Sequence, residues 1–501
     1  MKPNKQIFHE NILTQQQQGQ IIKNVSGWRP SKILSASPLI RTDYTITFTD
    51  DKQVIYMQQG NILKIYKDAD FKNSNIIQNL EQLEKLEWKG EHDQLKQQFM
   101  KYKAYWDGQQ TKLGGICNKK GLKIGIWVEP WDNYWSDCKV SFEGCYDENG
   151  HRVDNWKYRD EQNTEIGGGY FNNEGQKIGV WKDLHISYNG KQNQSIYIGQ
   201  YNKGVRHGEW IINYNQKFIG GGFYNEKGHK IGKWIEQFDG FWGHNQSTFI
   251  GKYNTFGMRI GQWEIYWQWN GFNKKIGGGQ FNDKGYKIGK WVEQFDGFWN
   301  YNQTTFSGEY NKHGMRIGEW EIYFLDSFSN QPNNRIGGGQ YNEEGIKIGR
   351  WEELSDQFWS YNQSIYIGEY NKQGVKIGEW EIFYKNYNMG NSQKIGGGQY
   401  DDKGNKTGMW VEQINGFNYW NQSTIRGFYN KQGVKEGIWE IFWNWNGENQ
   451  KIGGGYYDEQ GRKIGKWIEQ KDGFDCTQKL ILTGEYIQGI KQGEWIENKL
   501  Q

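Results

Sequence analysis

Apolar and polar residues alternate one by one along most of this chain. In the stretch 377–384, Gly378, Trp380, Ile382 and Tyr384 fall on one side of an extended strand, and Ile377, Glu379, Glu381 and Phe383 on the other. The preceding stretch 364–370, SIYIGEY, alternates in the same way and is rich in β-branched and aromatic residues. Between such stretches stands Asn/Asp-x-x-Gly: Asn225 to Gly228, Asn282 to Gly285, Asn342 to Gly345, Asp458 to Gly461. The Asn or Asp side chain initiates a turn, and Gly supplies the positive φ that a type I turn with a G1 bulge needs. Each unit therefore predicts an antiparallel hairpin. Helical periodicity appears only near Ile76 to Met100.

The hairpins repeat. IGGGQYNEEGIKIGRW, ending at Trp351, and YIGEYNKQGVKIGEW, ending at Trp380, both reduce to G-x-Y-N-x-x-G-x-K-x-G-x-W. The same Trp recurs from Trp127 to Trp495 in fourteen copies, at steps of 24 to 31 residues. A degenerate fifteenth copy begins at Trp88-Lys89-Gly90-Glu91, with Tyr102 in the Trp position. Copies alternate between those opening on a glycine run, such as Gly337-Gly338-Gly339, and those opening Gly-Glu-Tyr, as at Gly368, so that the larger unit is a pair of hairpins. Gly two residues before Tyr and Trp is expected to leave a flat patch of backbone on which a neighbouring ring lies.

The predicted fold is all-β: an elongated single-layer antiparallel sheet over residues 88–499, preceded by a β-rich cap or partly disordered segment in residues 1–87. A seven-bladed propeller is the alternative, since seven units of four strands could close a ring. Laid flat, about thirty strands at roughly 4.8 Å each would run about 140 Å before twist and curvature shorten the sheet.

Tyr197-Ile198-Gly199-Gln200-Tyr201-Asn202-Lys203-Gly204 with Gly208 resembles the MORN repeat pattern, and the copy ending at Trp495 keeps that spacing. Most other copies insert one turn residue and place Trp where the family has its last Gly, a variant similar to MORN-variant repeat proteins of the ciliate type. The resemblance implies long single-layer twisted sheets that act as scaffolds, often as homodimers, in cytoskeletal or ciliary structures. It also implies association with phosphoinositide membranes.

Composition narrows the function. Trp 27, Tyr 32 and Phe 25 beside a mean hydropathy of −0.97 indicate a thin structure held by rings, whereas disordered chains are poor in aromatics. A net charge of +3 without a long basic run argues against a nucleic-acid partner. Cys117, Cys138, Cys145 and Cys476 form no CxxC pair, and the histidines show no zincin spacing and read as loop residues, so neither metal nor cofactor is expected. No nucleophile elbow or phosphate loop occurs, and the acidic turn Asp147 to Gly150 lies between strands, unlike an EF-hand. Five Asn-Gln-Ser/Thr sequons, at Asn193, Asn245, Asn302, Asn362 and Asn421, recur with the loop that carries them. The N-terminal stretch has no signal-like apolar run and no 18-residue apolar span exists, which predicts a cytoplasmic protein.

The candidate partner-binding residues are the loop aromatics Phe298, Trp299, Tyr301, Phe358, Trp359 and Tyr361. They either fold back over the sheet as its second layer or display an aromatic stripe to a protein partner. The functional expectation is a non-enzymatic scaffold binding other proteins. The alternative is a peripheral protein that meets anionic lipid through basic turns such as Lys227, Lys230 and Lys233.

Overall fold

A computed structural model describes residues 14–500 apart from 18–19, 30–39, 50–52, 59, 67–78, 93–99, 186–187, 192, 239–240, 270, 326–333, 387–390 and 446. The turn chemistry builds the hairpins as the sequence implies. In one copy the Asn371 N–H donates to Val375 O (2.9 Å) and the Gly374 N–H to Asn371 O (3.0 Å). Asn371 Oδ1 accepts from the Gln373 and Val375 amides at 2.9 and 3.0 Å, and Gly374 has φ +77°. An Asx-capped turn of this kind sets the register of both strands.

The chain is all-β, a long antiparallel sheet of tandem hairpins, and the described residues hold one short helix, Leu80–Lys85. It divides into two compact units, residues 79–289 and residues 1–78 with 290–501. In the first unit, Leu86–His92 pairs with Met100–Trp106, and each strand pairs with the next through Phe272–Phe281. The degenerate copy at Trp88 is thus a hairpin, with Gly90 opposite Tyr102. In the second unit the same sequential pairing runs from Gln303–Tyr310 to Ile490–Lys499. Strands pair both within and between copies. Neither unit therefore breaks into the four-stranded blades of a propeller. Thr14–Gln17, Gln20–Arg29, Ile40–Phe48, Val54–Gln58 and Asn61–Tyr66 form a separate five-stranded meander.

One face of each hairpin is the core. Trp380 and Ile382 are 1% exposed and Tyr384 is fully buried, while Glu379 stands in solvent. From Tyr370 to Tyr429 the Tyr and Trp rings of successive strands meet edge to face in a continuous ladder. Tyr370–Trp380 centroids are 5.4 Å apart, Trp380–Tyr400 6.0 Å, Tyr400–Trp410 5.0 Å and Trp410–Tyr429 6.2 Å. Such contacts satisfy the ring quadrupoles and add roughly 0.5–1.5 kcal/mol each beyond burial.

Glycine admits these rings, but only at one of the two expected positions. A Cβ on Gly368, two residues before Tyr370, would lie 2.3 Å from the Trp380 ring. Gly378, two residues before Trp380, has open space around it and φ +67°, so its role is backbone conformation and not ring seating. In the glycine runs a Cβ on Gly338 would lie 2.1 Å from Trp320 O, and one on Gly339 2.4 Å from the Trp351 ring.

The flat-sheet length does not describe either unit. Gln413 Nε2 donates to Ser364 Oγ at 2.6 Å, and Tyr366 Oη donates to Gln413 Oε1 at 3.3 Å. These residues belong to Gln363–Tyr370 and Lys406–Gln413, three strands apart, which is about 14 Å on a flat sheet. The sheet curls tightly onto its aromatic face. A single layer thereby encloses its own core.

Candidate functional site

The curled face carries an ionic cluster once per hairpin pair. It starts from Trp-x-Glu/Asp in the glycine-run copies, where the acid two residues after Trp shares the inner face. Glu353 Oε1 accepts from Lys347 Nζ at 2.5 Å and Tyr370 Oη at 2.7 Å, and its Oε2 from Lys376 Nζ at 2.8 Å. Glu236 is bound by Lys230, Tyr253 (2.9 Å) and Arg259 (2.7 Å). Asp183 is held by Lys177 (2.5 Å), Tyr201 (2.7 Å) and Arg206 (3.2 Å). Glu129, Glu293, Glu412 and Glu469 repeat the arrangement.

Each second cation also lies over the Trp of its own strand: Lys376 Nζ is 3.8 Å from the Trp380 ring centre and Arg316 Cζ 4.3 Å from that of Trp320. Burial alone would raise the acids' pKa, but the flanking cations win. Glu353 is held down to about 2, and Glu412 also lies below the ordinary carboxylate range. The bound tyrosines move the other way, Tyr146 to about 12, through burial and the adjacent carboxylate of Glu129. A carboxylate held ionised by two cations and a phenol is a weak base with its lone pairs occupied. The cluster is organised to join strands and is poorly suited to proton transfer.

The predicted loop aromatics fall into two groups. Phe298 and Phe358 are 2% and 3% exposed, and the Phe358 ring meets Phe324 edge to face at 5.2 Å. Phe417 and Phe474 do the same on Tyr384 and Trp443. These rings cover the inner face, as a second layer would. Trp299, Tyr301, Trp359 and Tyr361 instead pack loop on loop: Trp299–Trp359 at 5.9 Å, Trp299–Tyr301 and Trp359–Tyr361 at 4.9 Å, and Tyr361–Trp420 at 4.6 Å. The loop backbones join as well, Ser360 N to Tyr301 O at 2.9 Å and Tyr419 N to Tyr361 O at 2.8 Å. Trp299 is buried, and Tyr301, Trp359 and Tyr361 are partly buried.

The sequons prove to be the polar framework of these loops. Asn302 is fully buried, its Nδ2 donates to Phe358 O at 2.5 Å, and its Oδ1 accepts from Thr304 Oγ1 at 2.5 Å. Asn193 Nδ2 likewise donates to Phe241 O, and Gln470 Nε2 donates to Ser423 Oγ at the start of the strand Gln422–Tyr429, both at 2.5 Å. Asn-Gln-Ser/Thr therefore recurs because both its polar ends are structural.

Two further expectations are corrected. Lys230, read as a basic turn residue, is committed to Glu236 and lies over Trp234, whereas Lys227 and Lys233 are exposed. His185 lies between strands as expected but is not solvated: it is buried and stacked on Tyr197 at 5.4 Å, and burial pushes its pKa down to about 3. His9 lies outside the described residues. The four cysteines are free thiols, two of them buried, and no group of three His, Cys, Asp or Glu is placed to hold a metal among the described residues. In the acidic turn, Asp147 Oδ1 accepts from the Asn149 and His151 amides, so it caps the turn.

The opposite, outer face is where copies differ. Met409, Phe428, Ile438 and Tyr456 are 62%, 49%, 67% and 47% exposed, with Met409 opposite Phe428 and Ile438 opposite Tyr456. One pair earlier the same positions are Arg350, Glu369, Glu379 and Gln399.

No family model matches this chain, and no curated protein is significantly similar to it. Solved structures aligned with it include an oligogalacturonate lyase from Vibrio parahaemolyticus, at 9% identity over 83% of this chain and 97% of that one, with a TM-score of 0.24. Others are a eukaryotic initiation factor (10%, 90% of each chain, TM-score 0.26) and a K499G mutant of NanB sialidase from Streptococcus pneumoniae (10%, 96% and 88%, TM-score 0.19). At these scores the likenesses carry no argument about fold or function.

Proposed function

We propose that the chain is a non-enzymatic repeat scaffold for protein partners, similar to MORN-variant repeat proteins, with the outer sheet face as its binding surface. One observation carries this reading. The inner face repeats Trp, Tyr, carboxylate and cation from copy to copy, while the outer positions before Tyr and Trp change from Arg350, Glu369 and Glu379 to Met409, Phe428 and Ile438. Repeat proteins that hold a constant core and vary one exposed face use that face for recognition. Four apolar side chains side by side in solvent are the kind of patch that marks a partner site.

The reading is tested by comparing proteins captured from a native extract by the parent and by Met409→Glu/Ile438→Glu. Both substitutions lie on the exposed face and should leave the circular dichroism unchanged. Selective loss of a partner supports the reading, and an unchanged set of partners would sink it. Flotation with anionic vesicles at two salt concentrations separates it from lipid binding through residues such as Lys227 and Lys233, which weakens with salt.

A further inference from the structure

Turn glycines in the array are packed by the copy before them. A Cβ on Gly374 would lie 2.5 Å from the Ile346 side chain, one on Gly404 2.7 Å from Val375, and one on Gly461 2.6 Å from Val434. The last turn, at Gly489, has an additional neighbour of a different kind. It faces the tip of the N-terminal hairpin formed by Val54–Gln58 and Asn61–Tyr66, with its Cβ position 3.0 Å from Gly60 O and 3.4 Å from Ile62.

The contact is made by backbone groups on both sides. The Ile62 N–H donates to Gly489 O at 3.1 Å and the Lys463 N–H to Gly60 O at 3.3 Å, while the Gly489 N–H donates to Lys463 O at 2.9 Å. The last of these repeats a bond between turns inside the array, Gly204 N–H to Lys177 O at 2.8 Å. Gly60 has φ +79°, and a Cβ there would sit 2.6 Å from the Tyr457 ring and 2.8 Å from Gly461 O. Only glycine fits.

Burial shows what the contact does. The Lys463 side chain is 10% exposed, against 30%, 32% and 31% for its counterparts Lys230, Lys347 and Lys406. Tyr457 beside it is 2% exposed. We infer that the N-terminal sheet is a strap whose Gly60 turn adds one more member to the stack of turns and covers Lys463, the first cation of the last ionic cluster, while the second cation, Lys491, stays 47% exposed. The occupant of the terminal turn site is thus a segment of the same chain. Its release would uncover Tyr457 and Lys463.

The test uses the full chain with a protease site placed within residues 67–78 and cut after folding. The N-terminal fragment should co-elute with the remainder on gel filtration, and amide exchange should show Lys463 and Ile62, the two donors across the contact, protected. Gly60→Val should release the fragment and lower protection at both amides at least tenfold. Gly489→Val, which leaves the N-terminal sheet unchanged, should release it too, while the interior turn variant Gly404→Val should retain it. Loss of the fragment from the parent chain, or its retention by either Gly60→Val or Gly489→Val, would overturn the inference.

Discussion

Two groups of hairpins answer the same electrostatic problem with different cations. Arg152, Arg206, Arg259 and Arg316 occupy the second cation position in the earlier copies, and Lys376, Lys435 and Lys491 occupy it in the later ones. The guanidinium forks. Arg316 Nη2 reaches Glu293 at 2.5 Å, Nε reaches Tyr310 Oη at 3.2 Å, and Nη1 reaches Tyr341 Oη of the next copy at 3.2 Å. Arg206 makes the same three contacts with Asp183, Tyr201 and Tyr224. Lys376 serves Glu353 as a point charge while Tyr370 binds that carboxylate by itself. Where the next copy offers a tyrosine, as after Arg206 and Arg316, the cation thus hydrogen-bonds one pair to the next, whereas Phe171 and Phe281 stand at that position after Arg152 and Arg259. The Lys copies rely on the ring ladder for that continuity.

Removing the carboxylate separates the groups most sharply. Glu353→Gln leaves two half-buried lysines, and Glu236→Gln leaves a half-buried lysine and arginine, so each should lose about 3 kcal/mol of stability at pH 7 by urea unfolding, the low end for breaking a buried pair. Burial already lowers the pKa of Lys376. Between that lowered value and the unfolded lysine value the unfolded chain binds more protons, so stability recovers as pH rises there. The Glu353→Gln deficit should shrink between pH 7 and 9.5. That of Glu236→Gln should shrink less, because Arg259 cannot shed its proton. Equal recovery in both variants would erase the distinction.

Acid tests what the groups share. A carboxylate whose folded pKa is depressed contributes stability above its unfolded pKa and loses it as pH falls through the folded value. For Glu353, lowered from 4.5 to about 2, that contribution is about 3 kcal/mol. Circular dichroism should report unfolding between about pH 4.5 and 2, and the Glu353→Gln variant should show a shallower loss over that range.

Exchange of the cations gives the smallest effect. Arg316→Lys loses the bonds to Tyr310 and Tyr341 and should cost about 1–2 kcal/mol. Lys376→Arg has Tyr400 in reach of a fork and should change stability by less than about 1 kcal/mol in either direction. If Arg316→Lys is silent, the inter-copy bonds contribute nothing beyond the ring ladder.

Much of this fold was legible in residues. Alternation at 377–384 gave the buried and exposed faces, Asn-x-x-Gly gave the turns, and Gly368 was rightly read as the seat of a ring. The ionic cluster was not recognised, although Trp-x-Glu at Trp351, Trp410 and Trp467 alternates with Trp-x-Ile at Trp380 and Trp439. Lys230 reads in sequence as a basic turn residue because nothing local shows that Lys347, its equivalent in a later pair, and Lys376 meet one carboxylate from two strands. The curl was equally hidden. It is fixed by Gln413 reaching Ser364 across three strands, a contact between residues 49 apart in sequence. Glycine before Trp gives no such seat, since Gly368 and Gly378 look alike in the repeat and differ in φ and in what lies beside them, the Trp380 ring against open space.

The buried sequons have a consequence for producing this protein. Oligosaccharyl transfer acts on asparagine amides as a chain emerges into a secretory compartment, before distant loops have met. The Asn302 amide nitrogen is the group that donates to Phe358 O, and those partners are 56 residues apart in sequence. A glycan installed there would occupy the donor and place a bulky sugar between two loops that touch. The same holds at Asn193. Expression through a secretory host should therefore yield retained, unstacked chains, and Asn→Gln changes at these sites would not restore them, because the longer side chain misplaces the amide. Cytosolic expression avoids the modification and leaves the loop stack free to close.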